Sequence, residues 1–492
     1  MGPLPKISIL GYGAGDAANN LAFTTATMFL LLYYTDVAGI SAAAAGTLLL
    51  VVRIFDAFSD VLAGRFVDKT YHKKLGKFRP FIMFGSVPLL LLSVATFSIP
   101  QIGQSGMLLW AYVSYALLGL AYSFVNIPYG SLAGAMTQNS GERAKLASAR
   151  TIGAVAVGSF LGIFIAPLMK DGARLQPLFT TMTLIFTVVG TALYMFTVFT
   201  TKERVVREVA KVSIKQSFAT LKGNKPLLLL CISSFLFLTG QLAVGTVQIY
   251  YFRDVLHSLE LYAVMSIVNI VLTFGLAAIL PRLVSVFGKK HLYLFAGALM
   301  AFGGLVVFLT PASMVWLAFT GVLITQAGAM LVGMLVWALE ADTVEYGEWK
   351  TRVRTEGITY ALFSFTRKTG QAVGGALAAF ALAWGGYTAG VPQQTAHALL
   401  GIRAGAGLLP MVFAVLAVVA MVLYPLTDAK HKEIVHEISE RRLIRIAAAR
   451  LNTADGHLNT GQPTTGQPNT ADGQPLNGEG PERSATPESP SK

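Results

Sequence analysis

The feature that most constrains this 492-residue chain is a succession of long apolar runs. They fall at roughly 9–35, 42–66, 80–99, 108–135, 148–169 and 178–200, then at roughly 227–252, 260–284, 291–310, 315–340, 357–385 and 404–425. A helix needs about 20 residues to cross the hydrocarbon core of a bilayer. Lipid satisfies no backbone N–H or C=O, so a spanning segment is a helix or part of a closed barrel. The runs are continuously apolar and lack the period-two alternation of barrel strands, which disfavours a barrel. Composition agrees: only 13% of the residues are charged, about half the usual ~25%, too few to clothe soluble domains. The expected class is an all-α membrane protein with twelve transmembrane helices.

Charge falls unevenly between the runs. Lys69, Lys73, Lys74, Lys77 and Arg79 follow run two, and Arg143 and Lys145 follow run four. A basic segment, 201–226, separates the sixth and seventh runs, and Arg282, Lys289, Lys290, Lys350, Arg352, Arg354, Lys430 and Lys432 continue the series. The alternate loops hold little beyond Asp36, Lys170 with Asp171 and Arg174, Arg253 with Asp254, and Arg403. Basic loops mark the cytoplasmic side, so both termini are expected in the cytoplasm of a bacterial inner membrane. The net charge of +13 is then loop bias rather than a nucleic-acid surface, and no nucleic-acid partner is expected. A single cysteine, Cys231, excludes an internal disulfide framework. The first run carries Asp16, Asn19 and Asn20 and is too long and too polar for a cleavable signal peptide. Lys6 stands where N-myristoylation needs Ser or Thr.

The two sets of six runs resemble a duplication. Gly76-Lys77-Phe78-Arg79-Pro80-Phe81 opens run three, and Gly288-Lys289-Lys290 opens run nine. Two pseudo-symmetric six-helix bundles with a site between them are the major facilitator arrangement. The expected organisation is a first bundle at 1–200, a cytoplasmic loop at 201–226, a second bundle at 227–425, a basic segment at 426–450 and a tail at 451–492. The tail repeats Gly-Gln-Pro and Thr-Ala-Asp-Gly and reads as disordered.

Charges inside the runs locate the chemistry. Arg53, Asp56 and Asp60 share one helix face at i, i+3 and i+7. A charge at mid-bilayer costs at least about 2.5–3.5 kcal/mol, so the three must face a polar cavity. They read as a cation or proton site, the alternative being a structural ion-pair cluster. Asp16, Asn19 and Asn20 make a second polar face, suited to sugar hydroxyls or to hydrogen bonds between helices. Gly11, Gly13 and Gly15 lack nucleotide-binding spacing and read as close helix packing. Arg150 enters run five, where it either serves the cavity or snorkels. Arg367 and Lys368 lie deep in run eleven; being adjacent, they cannot share a face, so one is expected to pair with an acid of the other half. Tyr122, Ser123, Asn126 and Tyr129 form a polar stripe beside Pro128, where a break or kink is expected. Glu340, Asp342, Glu345 and Glu348 read as a mixed-charge cytoplasmic loop acting as a latch, with Glu340, Asp342 and Arg367 as gating residues. No nucleophile–base pair, phosphate loop or metal spacing is present, so no enzyme activity, metal or cofactor is expected.

Several ordered motifs resemble the glycoside–pentoside–hexuronide:cation symporter family. They are Gly11-Tyr12-Gly13 through Asp16, Tyr33-Tyr34-Thr35-Asp36, Arg53-Ile54-Phe55-Asp56-Ala57-Phe58-Ser59-Asp60, the Gly76–Phe81 motif, and Asn126-Ile127-Pro128-Tyr129-Gly130-Ser131-Leu132. Trp337-Ala338-Leu339-Glu340-Ala341-Asp342-Thr343-Val344-Glu345-Tyr346-Gly347-Glu348 and Phe363-Ser364-Phe365-Thr366-Arg367-Lys368 continue the likeness, which covers about 7–440. The resemblance implies secondary transport of a glycoside with a cation. It assigns Asp56 and Asp60 to the coupling ion, and places Asn20, Tyr122, Asn126, Arg150 and Lys368 at or near the sugar and cation sites; Arg53 joins the coupling set and Asp16 the substrate set through the helix faces they share with these residues. The family's melibiose permease has aspartates where this chain has Asn20 and Asn126. The first departure removes a charge that would repel an anionic sugar, and the second removes a sodium ligand. Together they point to import of a glucuronide or other hexuronide with H+, Na+ being the less favoured ion. A cation symporter for another glycoside or pentoside is the alternative.

Overall fold

The computed structural model describes residues 3–72, 75–137, 139–170, 174–204, 223–352, 356–391 and 393–458. Each apolar run is helical: α1 Lys6–Leu32, α2 Ala42–Lys69, α3 Arg79–Thr96, α4 Gln104–Met136, α5 Ser140–Phe160 and α6 Leu175–Thr200. The second set is α7 Lys225–Tyr250, α8 Glu260–Phe287, α9 Lys289–Leu309, α10 Val315–Thr351, α11 Glu356–Gly385 and α12 Ala396–Val422. A further helix, α13, spans Asp428–Leu458. Among the described residues, 10 helices are long and apolar enough to cross a membrane. Of the twelve helices that match apolar runs, the two outside that group are α1 and α11, which are long enough but carry Asp16, Asn19 and Asn20 or Arg367 and Lys368. The helices least suited to lipid are thus the ones expected to line the cavity.

The duplication is visible in how each half is stapled. Gly76 and Gly288 both hold a positive φ, 88° and 76°, at the start of the third helix of a half. In the first half Glu203, just beyond α6, accepts the N–H groups of Lys77, Phe78 and Arg79 at 2.8, 2.8 and 3.1 Å. In the second, Asp428, just beyond α12, accepts the N–H of Lys289 at 2.8 Å. A carboxylate there satisfies donors that the helix leaves free and opposes the positive end of the helix dipole. The basic side chains return the favour: Arg79 Nε donates to the Val198 carbonyl at 2.8 Å, and Lys290 Nζ to that of Val422 at 3.0 Å. A second repeat ends the first helix of each half, where Tyr33–Val37 and Tyr251–Val255 both form a π turn ending Asp-Val.

Three expectations are corrected. α4 runs unbroken through Pro128. The acidic segment 340–348 is not a loop but the last turns of α10, which continues to Thr351. The helix after α12 extends through 451–458, the start of the segment expected to be disordered, because Ala, Leu and Arg across 443–451 are strong helix formers. Most of the central loop (205–222), the rest of the tail (459–492), and Lys73, Lys74, Asp171 and Arg354 lie outside the described residues. The chain separates into a compact unit to Glu437 and a second from Ile438, of which only helical residues to Leu458 are described.

Candidate functional site

Glycine packing builds the first cluster. A Cβ on Gly153 would lie 2.5 Å from the carbonyl oxygen of Gly13, so α1 and α5 touch backbone to backbone. That approach sets Asp16 against Arg150, whose Nε donates to Oδ1 at 2.7 Å. Asp16 is 4% exposed, and a carboxylate so placed needs this partner. Asn20 donates from Nδ2 to Asp16 Oδ2 at 2.9 Å and accepts from Thr24 at 2.8 Å. An aspartate at position 20 would set two carboxylates one turn apart, which Asn20 avoids. The Arg150 guanidinium lies 5.5 Å from the Tyr129 ring, which stacks on Tyr12. Asn19 accepts from Tyr194 at 2.8 Å and serves helix packing instead.

The second cluster lies between the halves. Lys368 of α11 donates to Asp60 of α2, and Ser123 of α4 donates to the other oxygen of the same carboxylate at 2.7 Å. Asp56 faces Arg53 at 3.7 Å. Its Oδ1 has no hydrogen-bond partner among the described residues and is packed where a side chain on Gly119 would have to go. Arg53 lies over the ring of Phe23, 5.3 Å away, and Phe23 stacks on Tyr122. Arg53, Asp56 and Tyr122 thus line one small gap. Asn126 sits a turn beyond Ser123, its Oδ1 buried and without a partner among the described residues.

Of the adjacent cations, Lys368 meets the acid of the other half. Arg367 instead rests on the rings of Trp337 and Phe363, 4.9 and 5.7 Å away, in its own half. Asp342 pairs with Lys289 and lies 3.4 Å from His431, and Glu345 meets His431 at 2.5 Å. These partners all belong to α9, α10 and the start of α13, so these pairs of Asp342 and Glu345 brace one half. Glu340, 9% exposed, is buried on the same helix.

Sequence reasoning missed a third cluster, at the end with the charge-poor loops. Arg253 donates to Asp36 at 2.9 Å and to both oxygens of Asp254, each at 2.9 Å. Tyr387 donates to Asp36 at 2.8 Å, and the Thr35 and Tyr250 hydroxyls are hydrogen-bonded to each other at 2.8 Å. Asp36 and Thr35 belong to the first half and the others to the second, so these bonds close that end. The available signal was that loops nearly free of charge nevertheless keep an Asp and an Arg-Asp pair.

Comparison with known proteins gives a consistent result. A family model described as MFS/sugar transport protein matches residues 11–428. The chain is 45% identical over 442 residues, 89% of its length and 96% of the relative's, to a protein of Escherichia coli (strain K12) called glucuronide carrier protein homolog. It is 35% identical over 445 residues, 89% and 96% of the two lengths, to an uncharacterized symporter of Bacillus subtilis (strain 168). Among solved structures, the nucleoside transporter NupG aligns with a TM-score of 0.58 at 13% identity, over 85% of this chain and 98% of that one. A proton-dependent oligopeptide transporter aligns with 0.60 at 13% identity, over 87% and 99%. At such identities the structural likeness speaks for the fold, a major facilitator fold. Bundle, stapled repeats and cross-half charge pairs, together with these matches, place the chain in the MFS/sugar transport protein family, as a multi-pass membrane transporter and not an enzyme.

Proposed function

We propose that the chain imports hexuronides, glucuronides above all, together with protons, by alternating access between bundles 1–200 and 227–425, with 201–226 as the linker and both termini in the cytoplasm. The observation that carries the reading is the Asp60–Lys368 pair across the halves. A hexuronide carboxylate, ionised at pH 7, cannot be buried at mid-membrane unpaired. In this conformation both candidate cations are paired, Arg150 with Asp16 and Lys368 with Asp60. A proton on Asp60 frees the Lys368 ammonium, and the substrate carboxylate takes the vacated position. The buried charge is the same before and after, so proton and anion enter as one neutral addition. Asp56 and Arg53 hold the neighbouring charge balance, and Asn20 keeps Asp16 turned toward Arg150. The ammonium already at Asp60, and the uncharged Asn20 and Asn126, leave a sodium ion few anionic ligands, which favours the proton. The bonds of Asp36, Arg253 and Tyr387 close the charge-poor end, which in this topology is the side away from the cytoplasm.

The name of the relative at 45% identity supports the hexuronide. A sulfonated sugar is the second reading, favoured by a relative at 33% identity called a putative sulfoquinovose importer. The test is uptake of labelled methyl glucuronide into energised vesicles, competed by carboxylated, sulfonated and neutral glycosides. Competition by carboxylated sugars supports the proposal. Superior competition by the sulfonated sugar would replace it with the second reading, and by neutral sugars would remove the anion requirement.

A further inference from the structure

The charged groups described so far leave one cavity unused. It measures about 300 Å³ and lies in the second half, between α7, α10 and α11, at the lower end of the range for small-ligand sites. Gln241, Gln248, Gln326 and Gln371 line it together with Leu242 and Gly245, and no charged side chain does among the described residues. Gln248 is buried and donates only to the Met265 thioether, at 2.9 Å, a weak acceptor. The side chains of Gln241, Gln326 and Gln371 are half-buried and make no hydrogen bond among the described residues. Each amide offers two donors and one acceptor, so the cavity gathers unused hydrogen-bonding capacity of both senses against an apolar wall.

The cavity shares wall residues with the gaps beside the charged clusters. Gln371 and Leu242 also line a small gap shared with Arg53 and Tyr115 of the first half. Arg53 and Tyr115 in turn line the gap that holds Asp56 and Tyr122. Arg53 is thus common to the walls of the two gaps, and Gln371 and Leu242 to those of the cavity and the first gap.

We infer that this glutamine-lined cavity is the subsite for the uncharged, hydroxyl-bearing part of the substrate, a second sugar ring or a polyhydroxylated aglycone. The inference rests on the transport reading above and extends it. Hydroxyls need donors and acceptors together, which four amides supply. The described lining residues are uncharged, which suits an uncharged ligand rather than an anion or a metal ion, and Leu242 with Leu238 suits the C–H face of a ring.

The test compares one-ring and two-ring probes on the full-length carrier in proteoliposomes: methyl β-glucuronide against a glucuronyl-glucose disaccharide, and methyl β-glucoside against cellobiose as neutral counterparts. A site built to bond hydroxyls discriminates strongly once its amides are lost. The double variant Gln326→Leu, Gln371→Leu should raise the KM of the two-ring probe relative to its one-ring partner by about tenfold, each neutral hydrogen bond being worth roughly threefold to tenfold. Gly245→Leu is the second variant. A Cβ on Gly245 meets nothing within 4 Å, so the side chain fills the cavity without displacing backbone, and the same shift in ratio is expected. An unchanged ratio in both variants overturns the inference, as does equal loss of one-ring and two-ring probes. A carrier that prefers the neutral pair, yet shows the same shift in ratio, would refute the carboxylate reading while upholding the subsite.

Discussion

Neutralising Asp36 should open the closed end. The Asp36 side chain is 7% exposed, accepts from Arg253 at 2.9 Å and from Tyr387 at 2.8 Å, and joins the two halves through both. Breaking a buried pair by removing one partner costs about 3–5 kcal/mol. Arg253 retains Asp254, bound through two contacts at 2.9 Å, so its charge is not orphaned. The loss is then closer to that of hydrogen bonds to a charged group, about 1.5–3 kcal/mol. The open form pays none of it, so Asp36→Asn shifts the equilibrium by roughly 10- to 150-fold. Complete reversal from 1:99 to 99:1 needs about 5.5 kcal/mol, so a mixture is expected. The assay is a spin-label distance across that end, on Ile102→Cys and Val391→Cys, which are 56% and 40% exposed and sit on loops of opposite halves, in a Cys231→Ser background. A new, longer distance population should appear. A distribution superimposable on that of the unmutated carrier would refute the account of this cluster as the closure.

Asp60→Asn should abolish accumulation while sparing exchange of labelled for unlabelled substrate, because it frees Lys368 permanently without a releasable proton; normal concentrative uptake by the variant would remove Asp60 from coupling. With one proton per anion no net charge crosses, so a potential set by valinomycin without a pH gradient should drive little uptake, whereas a pH gradient should drive about tenfold accumulation per unit; strong potential-driven uptake would exclude that ratio. Gly153→Val should lower stability in detergent by at least about 1–3 kcal/mol, because its Cβ meets backbone 2.5 Å away and cannot be accommodated; an unchanged melting temperature would show that α1 and α5 separate easily. A tag after Lys432 should resist impermeant reagents applied to intact cells, and labelling from outside would invert the topology.

Much of this protein is legible in its sequence because the bilayer removes choices. Long apolar runs must be helices when no water satisfies the backbone, so the bundle, and the two polar helices that fail as lipid-facing spans, follow from composition along the chain. The expense of buried charge likewise singles out Asp16, Asp56, Asp60, Arg150, Arg367 and Lys368 before any fold is known. Partnership is another matter. That Lys368 rather than its neighbour Arg367 meets Asp60, and that Arg367 rests on Trp337, depends on which way two successive side chains of α11 point once α2 is packed beside it. The helix register sets that direction, and only contacts between distant segments set the register. The bonds joining Asp36 to Arg253 and Tyr387, and the gathering of four glutamines from three helices around one cavity, have the same origin. Local sequence determined which segments enter the membrane and which residues are too costly to face lipid; packing of the helices against one another decided which of those residues meet, because hydrogen bonds and ion pairs act over about 3 Å while their partners lie hundreds of residues apart in the chain.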